Sequence, residues 1–263
     1  MIIIRNIPTI INLAGSLPPL KELKKEIDAA RAAGDDETER IAIRKAEDIW
    51  GDELMRRLKI DLHVKGQENI PAEGPVVFVS NHQGYCDVPC FFEAIHGIQF
   101  GFIAKRSLGR VPFFGRWIYR IRSAFIDRKE KRSSVKAILE GIDNIKHGFS
   151  MVIFPEGTRA RCSTMREFKP GAVKLAIKPG VPVVPVSING TYNVYERYGV
   201  VKPARVDVMI HKPIETEGMT RRDESALTAE LYEIIKKGVD ELAAENPDSI
   251  FEPDIRGFDP KSC

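Results

Sequence analysis

Residues 74–87 read GPVVFVSNHQGYCD. Behind Gly74 and Pro75 stands an unbroken apolar run, Val76, Val77, Phe78 and Val79. A short run with no polar alternation is the pattern of a strand buried on both faces. The chain then turns polar at Ser80, Asn81 and His82. Asp87 stands where the next helix, ending around Ile95, begins. An acidic residue suits that position, because the free N–H groups and dipole of a helix N-terminus favour negative charge. Strand, polar loop and helix in succession make the unit of an α/β layer fold, and such folds bind ligands outside the C-terminal ends of their strands.

The same texture recurs along the chain. KIDLHVKG (59–66) alternates, with Ile60, Leu62 and Val64 on one face, as a half-buried strand does. IQFGFIA (98–104), SAFIDR (123–128), SMVIFP (150–155), VPVVPVSI (181–188) and RVDVMIHKPI (205–214) read as further strands. Helical stretches fall between them at Asp87–Ile95, Val135–His147 and Ala172–Lys178, and a late helix spans 223–245. Ahead of the strands, Leu20, Leu23, Ile27 and Ala30 recur at helical spacing, and Gly34 stops that helix. A second helix over 35–58 places Ile41, Ile43, Ala46, Ile49 and Leu54 on a broad apolar face, with Gly51 weakening its continuity. The expected organisation is an N-terminal helical appendage (1–58), the main α/β domain (59–245) and an irregular tail (246–263). The hairpin either packs on the core or faces a membrane or partner.

Composition narrows the function classes. Of 263 residues, 43% are hydrophobic and 29% charged, an ordinary globular balance, and the net charge of +3 points away from a dedicated nucleic-acid binder. The opening stretch, MIIIRNIPTIINLAGSLPPL, is interrupted by Arg5, Asn6 and Pro8. It falls well short of the roughly 20 apolar residues that span a bilayer, so neither a secretory signal nor a span is expected. Four Cys without regular spacing do not read as a disulfide framework, which fits a reducing, cytoplasmic setting. Peripheral contact with a membrane surface needs much less apolar length.

The loop after the 76–79 strand admits several chemistries. His82, Cys86, Asp87 and Cys90 are nominal metal ligands, but no second Cys/His pair completes a set. A Ser–His–Asp hydrolase wants a G-x-S-x-G elbow, and the chain has none. A His–Asp pair asks less: the carboxylate fixes the imidazole tautomer, and the imidazole takes a proton from a hydroxyl. A His hydrogen-bonded in a loop for structural reasons is the remaining alternative on this segment alone.

A second strand-end loop follows SMVIF. Pro155 ends the strand, and Glu156, Gly157, Thr158 and Arg159 come next. Gly157 permits close backbone approach, and the Arg159 guanidinium offers a planar fork suited to phosphate. Arg161, Arg166 and Lys169 add positive charge downstream. A third feature is AKRSLGRVPFFGRWIYRIRSAFIDRKEKR (104–132), in which basic residues alternate with large apolar ones. It reads as a cationic helix with a buried face, or as a surface that meets anionic lipid.

These residues carry a family likeness. NHQGYCD resembles the N-H-x-x-x-x-D signature of the glycerolipid acyltransferases, and FPEGTR is similar to their second signature at every position. SAFIDR resembles their G-x-x-F-I-x-R block, with Arg122 where the family has Gly, and VPVVPVSING resembles a later block. The likeness covers roughly Lys59 to Ile214 and points to the 1-acyl-glycerol-3-phosphate acyltransferases. It implies an α/β fold with a mixed central sheet flanked by helices. The implied activity is transfer of an acyl group from acyl-CoA or acyl carrier protein to the 2-hydroxyl of 1-acyl-glycerol 3-phosphate, giving phosphatidic acid. No other cofactor and no metal are implied. His82 would be the general base and Asp87 its orienter. Arg159, Arg128 and Lys105 would hold the acceptor phosphate in a pocket shaped by Glu156, Gly157 and Thr158. Glycerol 3-phosphate or another lysophospholipid is the alternative acceptor, and a non-catalytic lipid- or phosphate-binding protein is the alternative class. Many relatives begin with clearly hydrophobic helices, whereas this sequence opens on a short apolar patch and a charged helical hairpin; peripheral attachment to the cytoplasmic face of a membrane is therefore expected, through Leu108 to Ile121 and residues 1–20, with a largely soluble enzyme as the alternative.

Overall fold

The computed structural model describes residues 12–111, 114–127, 130 and 132–250. A helical hairpin precedes the strands, α1 (Lys21–Ala33) and α2 (Asp36–Leu58). Gly34 ends α1 in the left-handed region at φ 71°, where a side chain would be strained. The Asp35 side chain then caps α2 by accepting from the Thr38 N–H at 3.0 Å. Acidic residues fill the first turn of α2 and Arg56 and Arg57 its last, matching the helix dipole.

The face of α2 differs from the sequence reading. Its buried stripe is Ala42, Ile43, Ala46, Trp50 and Leu54, whereas Ile41 and Ile49 lie exposed. Apolar character alone misplaced these two, because they fall outside the stripe that Trp50 sets against Phe92, Phe114 and Trp117. Gly51 does not interrupt the helix. A Cβ there would sit 3.0 Å from the Phe92 backbone carbon, so glycine is what lets α2 close on the next helix.

The strands are β1 (Ile60–Lys65), β2 (Val77–Ser80), β3 (Phe100–Lys105), β4 (Ala124–Ile126), β5 (Ser150–Ile153), β6 (Val183–Asn189) and β7 (Ala204–Ile210). They form one seven-stranded sheet in the order β1-β7-β6-β2-β5-β3-β4. Every neighbouring pair is parallel except β6 and β7. The later helices are α3 (Asp87–Ala94), α4 (Phe114–Arg120), α5 (Ser133–Lys146), α6 (Lys174–Ile177) and α7 (Glu224–Glu245).

Both sheet faces are covered, as the continuous apolar runs require. Successive β2 side chains point to opposite faces. Phe78 joins the core under α2 and α3, with Phe91, Phe92 and Phe100. Val77 and Val79 join the core under α5, α6 and α7, with Leu175, Leu231 and Ile235. The hairpin therefore adds its stripe to the main core. β6 is interior yet holds Pro185. Its ladder with β7 starts at Val186 against Ile210, and the Pro185 carbonyl accepts from His211 N at 2.9 Å, so the missing N–H falls where regular pairing has stopped.

The residue before SAFIDR is a second departure. Arg122, where the family has Gly, adopts φ 61°. The non-glycine cost is offset by a half-buried ion pair with the buried Glu39 of the hairpin (Nε to Oε1, 2.7 Å) and by the guanidinium lying 4.4 Å over the Phe149 ring.

Candidate active site

Parallel β2, β3, β5 and β6 all end at one edge of the sheet, so their exit loops meet there. The β2 loop brings His82 and Asp87 together. His82 Nδ1 lies 2.6 Å from Asp87 Oδ2. Asp87 is fully buried, and its carboxylate also accepts from the N–H groups of Gln83 (2.8 Å) and Gly84 (3.1 Å) and from the Thr191 hydroxyl. The Asp87 oxygen beside Nδ1 holds the imidazole proton on that nitrogen, which leaves Nε2 as the basic nitrogen. His82 stacks on Phe154, ring centroids 4.1 Å apart and planes 15° from parallel, which fixes the ring's plane. Nε2 has no hydrogen-bond partner among the described residues, and His82 lines a cavity of about 2100 Å³.

The β5 loop is stitched to the β2 loop. Ala160 N–H donates to His82 O at 2.7 Å and Arg161 N–H to Gln83 O at 2.9 Å. Glu156 Oε1 accepts from His82 N–H at 2.7 Å, and its Oε2 from Arg166 N–H at 3.1 Å. Burial pushes the Glu156 carboxyl up to about 8, against those two N–H groups and with a smaller push from Asp87. Glu156 thus braces the loop of the base, with burial favouring its protonated form. Gly157 turns at φ 70°, and a Cβ on it would come 2.6 Å from Lys169 Nζ. Thr158, Arg159 and Lys105 line the same cavity as His82. Arg128 lies outside the described residues.

Arg159 is already engaged. Its Nη1 donates to Glu196 Oε1 at 2.7 Å, and its guanidinium lies 3.5 Å above the Tyr85 ring centroid. Burial raises the Glu196 carboxyl to about 7; the Tyr85 N–H and Arg159 oppose the shift and Asp87 adds to it. Glu196, Thr191 and Tyr85 were not found from the sequence. Thr191 and Glu196 follow β6, and their one signal was their position beyond the C-terminal end of a buried strand.

Cys86 and Cys90 are buried, and burial pushes both thiols up. Neither is poised as a thiolate. Among the described residues no three His, Cys, Asp or Glu side chains converge as metal ligands. The cavity turns apolar away from the polar loops, along Leu13, Leu17, Trp50, Leu54, Leu108 and Phe114. A base at one end of an apolar chamber with cations beside it suits a hydroxyl-bearing amphiphile that carries an anionic group.

The chain is similar to known acyltransferases. Residues 61–189 match the acyltransferase family model. A 1-acyl-sn-glycerol-3-phosphate acyltransferase of Borreliella burgdorferi is 32% identical over 180 residues, covering 68% of this chain and 72% of the relative. A chloroplast 1-acyl-sn-glycerol-3-phosphate acyltransferase of Arabidopsis thaliana is 34% identical over 156 residues, 58% of this chain and 43% of the relative. The match spans only about half the length of the plant and yeast relatives. The crystal structure of a 1-acyl-sn-glycerophosphate acyltransferase from Thermotoga maritima superposes with a TM-score of 0.74 at 30% identity, covering 93% of this chain and 98% of that one. With two thirds or more of such relatives covered at this identity, the chain belongs to the 1-acyl-sn-glycerol-3-phosphate acyltransferase family.

Proposed function

We propose that the protein transfers an acyl group from a thioester donor, acyl-CoA or acyl carrier protein, to the 2-hydroxyl of 1-acyl-glycerol 3-phosphate, giving phosphatidic acid. The observation that carries this reading is the 2.6 Å His82–Asp87 contact, with His82 lining a cavity that Lys105 and Arg159 also line. His82 Nε2 takes the hydroxyl proton as the acceptor oxygen attacks the thioester carbonyl. The tetrahedral intermediate collapses, the C–S bond breaks, and the imidazolium returns the proton to the departing thiolate. Asp87 stabilises the imidazolium throughout. The acyl group passes directly, so no acyl-enzyme forms, and the buried, protonated cysteines take no part. The thioester supplies the driving force and the His–Asp pair moves the proton, so the reaction calls for no metal or prosthetic group.

Arg159 and Lys105 hold the acceptor phosphate, together with Arg128 by the family likeness. Gly157 and Thr158 give the loop its close approach. Among the described residues no helix is long and apolar enough to cross a membrane. Contact with the cytoplasmic face of a membrane, through the surface around Leu108–Ile121, belongs to the same proposal; Val111 and Tyr119 are exposed there. Replacing His82 with alanine tests the assignment. Acyl transfer falls by roughly 10³-fold or more, in line with loss of a general base, while the melting temperature stays near that of the wild type. Turnover close to wild type in that variant removes His82 from the reaction.

A further inference from the structure

Recognisable motifs account for the loops after β2 and β5. The loop after β6 carries no such signature, yet its Glu196 is the point at which the other two meet. A single oxygen, Oε1, accepts from the Tyr85 backbone N–H at 2.8 Å and from Arg159 Nη1 at 2.7 Å. Tyr85 lies between His82 and Asp87, and Arg159 lies in the β5 loop. The Tyr85 ring in turn forms the floor beneath the Arg159 guanidinium.

Two observations argue against a role in stability alone. The Glu196 side chain is 3% exposed, so its pairing with Arg159 is not a surface contact that water screens. Its other oxygen, Oε2, is buried with no hydrogen-bond partner among the described residues. Burying a carboxylate with one oxygen unsatisfied is costly, and an apolar side chain of similar size would serve the fold better. Space has been kept for it as well. A Cβ on Gly84 would come within 2.6 Å of Glu196 Oε2.

Arg159 has five N–H donors. Glu196 uses Nη1, and no other hydrogen bond from Arg159 appears among the described residues. The guanidinium is therefore held on one edge and one face, with the rest of its fork left for a ligand. We propose that Glu196 is a positioning residue for the acceptor. It clamps Arg159 flat on Tyr85 and locks that geometry to the loop of His82 and Asp87, which sets the span between phosphate anchor and base. In glycerol 3-phosphate esters the phosphate and the 2-hydroxyl are a fixed number of bonds apart. An anchor in register delivers the hydroxyl to Nε2, and a loose one does not. The inference rests on reading Arg159 as a phosphate-binding residue.

The test uses the full chain and a short-chain 1-acyl-glycerol 3-phosphate, with binding followed by calorimetry and transfer by steady-state kinetics. Glu196→Ala weakens acceptor binding and raises acceptor KM about tenfold, more than it lowers kcat, because the anchor loses its register. Glu196→Gln keeps an oxygen for both donors and recovers most of that loss. The double variant Glu196→Ala/Arg159→Ala binds no more weakly than Arg159→Ala alone, since the two act as one unit. Acceptor affinity and KM unchanged in Glu196→Ala, or losses that add in the double variant, overturn the inference. If Glu196→Ala does not fold, Tyr85→Leu carries the test: removing the ring floor raises acceptor KM, and an unchanged KM overturns the inference. A wild-type protein that binds the ligand without transferring acyl groups contradicts the proposed function, and the binding arm then decides the role of Glu196.

Discussion

The exit loops of β2 and β5 face the same cavity and are built in opposite ways. In the β2 loop, Asp87 is fully buried and its carboxylate is saturated by His82, by backbone N–H groups and by Thr191. In the β5 loop, Arg159 has one carboxylate partner and an aromatic floor. Lys105, at the end of β3 on the same cavity, is exposed. Proton transfer needs its geometry set before the substrate arrives, so the catalytic loop satisfies itself. Anion binding needs donors that are held but not used up, so the phosphate side stays incomplete. Damage to the first loop should therefore appear in kcat, and damage to the second in acceptor KM.

The sharpest way to break this contrast is Asp87→Asn. It misorients the imidazole and removes the charge behind the imidazolium, so kcat falls roughly 10²–10⁴-fold with little change in acceptor KM. A change confined to KM would merge the two loops into one binding site. Next in size is Arg159→Ala, for which acceptor KM rises about 10- to 100-fold, the range of a lost charge-assisted contact. An equal fall in kcat at unchanged KM would contradict its place on the phosphate side. Thr191→Val removes one donor to Asp87 and lowers kcat about tenfold, a loss on the scale of one hydrogen bond to a charged group. A Thr191→Val enzyme with wild-type kcat would show that the β6 loop is not part of the catalytic support.

Glu156 joins the loops, and its effect is read in stability. Burial raises its carboxyl to about 8, so the folded state keeps a proton that the unfolded chain has released above its ordinary value. Stability from this group is full below the unfolded value of 4.5 and is lost as pH rises through about 8. Glu156→Gln gives up one backbone contact, because an amide N–H₂ cannot accept, and is less stable overall. Its stability should nonetheless fall less steeply with pH in that window, by at most about 1.4 kcal/mol per pH unit. Denaturant melts across the window measure the slope, and identical slopes would mean that Glu156 is ionised in the fold.

Much of the architecture was legible because it depends on local pattern. The continuous runs around Phe78, Val152 and Val184 became interior strands, and the alternating run from Ile60 became the outer strand β1. His82, Asp87, Glu156 and Arg159 stood in the strand-to-helix loops where such folds place ligands. What the sequence concealed was set by distant contacts. Ile41 and Ile49 read as core but face outward, because Trp50 chooses which stripe of α2 meets the aromatic cluster. Gly51 read as a weak point and is a contact point. Arg122 stands where the family has Gly, and its left-handed backbone is anchored by Glu39, 83 residues earlier. Thr191 lies 104 residues beyond Asp87, and only the pairing of β6 beside β2 brings it there. No local spacing encodes that neighbour.

The most direct measurement follows a labelled acyl group. The wild-type protein is mixed with acyl-CoA carrying a labelled acyl chain and with 1-acyl-glycerol 3-phosphate, then quenched in acid within a single turnover and separated into lipid and protein fractions. Direct transfer from the thioester to the 2-hydroxyl, with His82 as base, predicts label in phosphatidic acid and none on the protein at any time. Label appearing on the protein before the lipid, or only in free fatty acid, would contradict it.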